Sequence, residues 1–157
     1  MEPLFTLRPA RKDDLPTLGM FAALEGMDAI PSEEGVTVAE SQAGDVVGFV
    51  RIVQGTAPDG TAAAHVNPVV VYSSWRGYGV GRALVEDALV RYGELRLVSR
   101  GSSLGFYRSL GFREVPWDKI DLAVVDDCAG CGMREECGPC PVARTASGPE
   151  AGTEAEA

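Results

Sequence analysis

Apolar and polar positions change rhythm several times along the chain, and each change marks an element. Phe5-Thr-Leu-Arg8 is expected as a strand. Asp14 is placed to cap a helix beginning at Leu15, with Pro16 tolerated in its first turn. Val36 to Glu40 and Val46 to Val53 alternate apolar with small or polar residues, so two strands are expected, joined by a hairpin turn at Gln42-Ala-Gly-Asp45. Ala62 to Tyr72 is a long β-branched stretch that contains Pro68. Proline has no N–H for a sheet ladder, so a bulge or an interruption of pairing is expected there.

Helical spacing takes over at Val80, Leu84, Val85, Ala88 and Leu89, which predicts a helix over 80–92. Leu95 to Ser99 is short and apolar, a strand. Ser103 to Leu110 reads as a short helix closed by Gly111, a residue suited to the left-handed cap position. Phe112 to Val115 reads as one more strand. Residues 117–127 stay ambiguous: Ile120, Leu122 and Val124 alternate, while Ile120 and Val124 alone also fit a helix.

A chain of 157 residues suits one core and is short for two. All four cysteines fall between Cys128 and Cys140, and none precedes them. Residues 142–157 are small, polar and acidic without periodicity, the composition of a disordered segment. The expected plan is therefore a body over 1–125, a cysteine cluster over 126–141 and an acidic tail over 142–157.

Hydrophobic residues make up 45% and charged ones 24%, the balance of a soluble globular protein. The longest aliphatic run, Val69-Val70-Val71, is far below the ~20 residues of a membrane helix. Met1-Glu2-Pro3 carries an acid where a secretory leader has basic residues, so a cytoplasmic location is expected. The net charge of −9 argues against nucleic acid and against an anionic membrane surface, both of which select basic patches.

The most informative chemistry lies in Trp75-Arg76-Gly77-Tyr78-Gly79-Val80-Gly81-Arg82, between the strand ending near Tyr72 and the helix from Val80. Glycines let backbone approach a ligand closely, and the first N–H groups of a helix point at whatever sits before them. A helix N-terminus carries roughly +0.5 charge, so an anion is the natural guest. Arg76 and Arg82 add donors, which favours phosphate or pyrophosphate. No Gly-Lys-Ser/Thr follows, so this is not a nucleotide P-loop, and only Gly79 and Gly81 fit a dinucleotide fingerprint.

Further on comes Phe106-Tyr107-Arg108-Ser109-Leu110-Gly111-Phe112. Arg76-x-x-Gly79-x-Gly81 followed by Phe106-Tyr107-x-x-Leu110-Gly111-Phe112 resembles the GCN5-related N-acetyltransferases (GNAT). Leu7-Arg8-Pro9-Ala10 with Asp14-Leu15 looks like that family's first strand and helix. The resemblance spans roughly residues 5–115. It implies an α/β (α+β) fold with a mixed, mostly antiparallel central sheet and helices on both faces. It also implies an acetyl-CoA-dependent transfer to a primary amine of a small molecule or amino acid. Arg76, Gly77, Tyr78, Gly79, Val80, Gly81 and Arg82 would hold the cofactor's pyrophosphate, and Val69 and Val71 would lie beside its pantetheine arm. Strands 4 and 5 of the family splay apart, and Pro68 sits where that divergence could start.

The amine attacks the thioester, and the departing thiolate needs a proton. Tyr107 matches the family's general acid by position, and a phenol with pKa near 10 suits the task. The plain alternative is a tyrosine packed on the core. His65, the sole histidine, has a pKa suited to a base, and Asn67 lies two residues on, facing the same side of a strand. These two match positions where the serotonin N-acetyltransferase branch carries two histidines. Asparagine cannot take a proton, and a lone strand histidine is more often structural. Arg100 and Ser103 depart from the family's usual Asn and Ala. Glu25, Asp28, Glu33 and Glu34 precede Val36, where acceptor sites form, and either attract a cationic amine or are simply solvated.

Cys128-x₂-Cys131-x₅-Cys137-x₂-Cys140 presents two Cys-x-x-Cys pairs, which suits tetrahedral thiolate coordination of zinc. The gap between the pairs is shorter than a zinc ribbon's. Fe–S ligation and free or redox-active thiols remain alternatives. Two other functional readings stay open: a peptide or protein N-acetyltransferase of the same fold, and a non-catalytic acyl-CoA- or metal-sensing module. A homodimer is equally open.

Overall fold

Among the described residues these elements follow in chain order: β1 (Phe5–Pro9), α1 (Leu15–Leu24), β2 (Val36–Ser41), β3 (Val46–Thr56), β4 (Ala62–Val71), α2 (Val80–Tyr92), β5 (Glu94–Ser99), α3 (Leu104–Ser109), β6 (Arg113–Glu114) and β7 (Cys140–Thr145). This is a computed structural model, and it describes residues 3–121, 123 and 138–146. The strands make one sheet in the order β1-β2-β3-β4-β5-β7-β6. The registered pairs β1–β2, β2–β3, β5–β7 and β6–β7 are antiparallel, and β4–β5 is parallel. The mixed, mostly antiparallel α/β architecture expected from the sequence is the one observed.

The chain divides into two compact units. The first comprises Met1–Ile52 and Asn67–Asp87. Its core joins Leu18, Phe21 and Ala22 of α1 to Val36 and Val38 of β2, Phe49 of β3 and Val70 of β4. Leu18, Phe21 and Ala22 recur at three- and four-residue spacing, which is why one stripe of α1 is buried. The turn between β2 and β3 is closed by the Ser41 N–H donating to Asp45 O at 2.8 Å.

Asp14 does not cap α1 with its side chain. Its carboxylate instead accepts two bonds from the Arg8 guanidinium, at 2.8 and 3.1 Å, and the Arg11 N–H at 2.7 Å. A neighbouring cation outcompetes the helix amides for it. Pro68 does not end its strand, for β4 runs unbroken through it with the Asn67–Pro68 peptide bond cis.

The second unit comprises Val53–Val66 and Ala88–Ala157. Its parallel ladder is short, registering Ala64 with Leu95 and His65 with Arg96. β7 corrects the expected domain plan. Residues 142–145, read from composition as the start of a disordered tail, belong to β7, which pairs with β5 from Glu94↔Thr145 to Ser99↔Cys140 and with β6 through Arg113↔Ala143 and Glu114↔Val142. Val142 is completely buried. The body therefore does not end at residue 125. A strand made by pairing between two distant partners carries little signal in its own six residues. Cys128, Cys131 and Cys137, and residues 147–157, lie outside the described residues. No helix among the described residues is long and apolar enough to cross a membrane.

Candidate active site

In the first unit the loop before α2 takes the shape that the sequence implied. Ser73–Trp75 form a single 3-10 turn, Arg76 is extended, and Gly77 and Gly79 take φ of +88° and +83°. A Cβ at either glycine would meet nothing within 4 Å, so the left-handed backbone is what requires glycine there. The first helical bond runs from the Ala83 N–H to Gly79 O at 3.0 Å. The amides of Val80, Gly81 and Arg82 come before it and have no acceptor within the helix. Gly79 has no side chain to cap them. The result is a cluster of N–H donors at the positive end of a thirteen-residue helix.

Charges at the loop are unevenly engaged. Arg76 donates through Nη2 to Glu25 Oε2 at 2.9 Å, which ties the loop to the end of α1. Arg82 is exposed and makes no ion pair with another described residue. Tyr78 is exposed and packs against Trp75 with ring centroids 5.6 Å apart. Sequence reasoning missed Gly48 on β3. A Cβ there would lie 3.0 Å from Val70 O and 3.0 Å from Val80 Cγ1. A glycine between Val47 and Phe49 inside a strand was the available signal.

Val69 and Val71 of β4 are half-buried and flank buried Val70, which points into the core. Asn67 contributes its backbone carbonyl, which accepts from Arg51 Nη1 at 3.2 Å.

In the second unit, Tyr107 on α3 is 6% exposed, with its ring edge-on to Phe106 and Phe112 at 5.0 and 5.4 Å. Burial pushes its phenol well above the usual tyrosine range, and its hydroxyl has no hydrogen-bond partner among the described residues. A buried hydroxyl without a partner among the described residues is an unsatisfied polar group in a fold that otherwise pairs such groups. Gly111, with φ of +89°, closes this turn, and the Phe112 N–H returns to Tyr107 O at 3.0 Å.

His65 is buried, and both ring nitrogens are occupied. Nε2 accepts the Asp121 N–H at 3.1 Å, and Nδ1 lies 3.1 Å from Ala63 O. Burial lowers its pKa, against the opposing pull of the Ala63 carbonyl and Asp121. No ring nitrogen is free to take a proton from a substrate, so the arrangement speaks for a structural histidine. Arg96 beside it is held by Glu94 Oε2 at 3.1 Å, Thr61 Oγ1 at 2.7 Å and Lys119 O at 2.7 Å. His65 and Asn67 fall in different units, as do the loop and Tyr107. Cys140 opens β7. Burial, then the nearby Glu114, raises its thiol pKa.

The acetyltransferase (GNAT) domain family matches residues 32–114, more than half of the 157-residue chain. No curated protein matches in sequence. Among solved structures the chain is similar to the Neisseria gonorrhoeae N-acetylglutamate synthase complexed with coenzyme A and N-acetyl-glutamate, with a TM-score of 0.72 at 14% identity. That match covers 92% of this chain but only 36% of the synthase. Rv2747 from Mycobacterium tuberculosis, in complex with CoA, gives 0.69 at 16% identity over 89% of this chain and 98% of that one. Arabidopsis thaliana Naa50, in complex with the bisubstrate analogue CoA-Ac-MVNAL, gives 0.63 at 16% identity over 90% and 99%. At such identities the likeness shows the fold.

Proposed function

Because the chain belongs to the GNAT acetyltransferase family, we propose that it is an N-acetyltransferase moving the acetyl group of acetyl-CoA to a primary amine of a small molecule or amino acid. The observation that carries this reading is the loop at Gly77–Gly79. It leaves the amides of Val80, Gly81 and Arg82 without helical acceptors, which suits the pyrophosphate of the cofactor. Val69 and Val71 are the residues expected beside the pantetheine arm.

In this reading the neutral amine attacks the thioester carbonyl directly. The C–N bond forms, the C–S bond breaks, and the departing sulfur takes the proton of the Tyr107 hydroxyl, while the proton shed by the amine nitrogen passes to solvent water and restores the phenol. Burial keeps that phenol protonated at neutral pH. His65 has no free nitrogen for the amine's proton. The backbone carbonyl of Asn67 is already engaged by Arg51.

The similar structures supply both acceptor classes in their own ligands: an N-acetylated amino acid for the gonococcal synthase, and a peptide-like analogue for Naa50. The peptide reading is favoured by Naa50, which this chain matches over 90% of its own length and 99% of that chain. The zinc reading of the cysteines rests on their spacing, and metal analysis of protein purified anaerobically tests it.

The test is the melting temperature with and without acetyl-CoA, on reduced protein. A ligand at 100 times its Kd stabilises by about 2.7 kcal/mol, worth roughly 5–10 °C at this size. Release of free CoA thiol is then followed with amino acids and with short peptides. The absence of any shift with acetyl-CoA overturns the reading. Turnover on peptides alone moves the acceptor class to the second reading.

A further inference from the structure

Arg51 differs from Arg8 and Arg96. Arg8 is paired with Asp14 and Glu40, and Arg96 with Glu94. Arg51, half-buried on β3, has no carboxylate within 4 Å among the described residues, although the chain holds 23 acidic residues against 14 basic ones. Its one hydrogen bond to a described residue is from Nη1 to the Asn67 carbonyl, at 3.2 Å. A carbonyl aims a guanidinium without neutralising it. A partly desolvated cation without a counter-charge is costly, and one held in a fixed direction is prepared for an anion that comes from outside.

Its surroundings favour a particular kind of anion. Arg51 lies opposite Val36 in the β2–β3 ladder, and the next residue, Ile52, donates its N–H to Gly35 O at 2.8 Å. The stretch entering that corner carries Glu33 and Glu34, and neither reaches Arg51 to form an ion pair. A fixed guanidinium beside an unpaired acidic stretch is the charge pattern of a zwitterion, with the carboxylate toward one and the ammonium toward the other.

We propose that Arg51 is the carboxylate-binding residue of the acceptor site, so that the acceptor is a free amino acid rather than a peptide N-terminus. This rests on the acetyltransferase reading above, and binding measurements separate the two. The probes are the common L-amino acids, their N-acetyl derivatives and the matching amides, added to CoA-loaded protein and followed by equilibrium binding. Wild type is expected to bind at least one carboxylate form about ten- to a hundredfold more tightly than its amide, the size of a lost charge-assisted bond. Arg51→Gln should abolish that preference and Arg51→Lys should keep part of it, both with an unchanged acetyl-CoA shift. That shift also reports that the variants fold.

Equal binding of acids and amides overturns the proposal. So does a preference that survives in Arg51→Gln, or a panel in which no carboxylate binds. If carboxylates bind through Arg51 but acetyl-CoA does not bind, the transferase reading falls and the anion site stands. In turnover, the Arg51→Gln defect should appear in KM for the acid and not in kcat.

Discussion

His65 Nε2 accepts the backbone N–H of Asp121 at 3.1 Å, and that bond fixes the tautomer of the chain's one histidine. The proton sits on Nδ1 and goes to Ala63 O. Because burial holds the folded pKa below the usual value near 6.5, the unfolded chain takes up a proton that the folded ring resists. The unfolded state then binds more protons as pH falls, so stability is complete above about pH 6.5 and declines below it. Melting temperature against pH should show that decline in wild type and a weaker one in His65→Gln. The acidic limb of the kcat/KM profile should be the same in both proteins, and its loss in the variant would return His65 to the mechanism.

Tyr107→Phe keeps both edge-on ring contacts and removes a buried hydroxyl that has no partner among the described residues. The melting temperature should therefore hold or rise. Acetyl-CoA binding should be nearly unchanged, while turnover falls by about 10²–10⁴. Unaltered turnover would make Tyr107 a core residue only.

Two glycines should fail for different reasons. At Gly79 there is room for a methyl group but φ is +83°, so Gly79→Ala is expected to cost about 1–2 kcal/mol through the backbone. At Gly48 the methyl would press on Val70 O and on Val80, the first residue of α2. Gly48→Ala should cost about 1–3 kcal/mol. It should also weaken acetyl-CoA binding by displacing the helix start. Isothermal titration with CoA and chemical denaturation of each variant check both effects. Full affinity in Gly48→Ala would show that α2 absorbs the shift.

Asp14 gives a stability prediction away from the site. The Arg8 guanidinium, then the Arg11 N–H, holds its carboxyl below the usual carboxylate range. Its contribution is thus present above about pH 4 and is lost as pH falls through the folded pKa. Asp14→Asn should lower stability by about 1.5–3 kcal/mol at neutral pH, roughly 3–10 °C in melting temperature. The difference from wild type should shrink in acid.

The elements that the sequence announced are those whose signal is local. α2 shows its stripe from Val80 to Leu89, and the loop before it shows glycines where φ must be positive. Tyr107 stands out through its neighbours Leu110, Gly111 and Phe112. What stayed hidden depends on distant partners. β7 exists because β5 and β6 offer it an edge on either side. Asp14 was read as a helix cap because Arg8 comes near it only once β1 and α1 have formed. The fate of His65 turned on Asp121, 56 residues away, and that of Arg51 on the absence of a carboxylate partner among the described residues.

β7 makes the far end of the chain a splint for the second unit. Cys140–Thr145 lies between β5 and β6 and pairs with both, and Val142 within it is completely buried. Removing everything after Val125 should therefore not be tolerated, because it strips β5 and β6 of the strand between them.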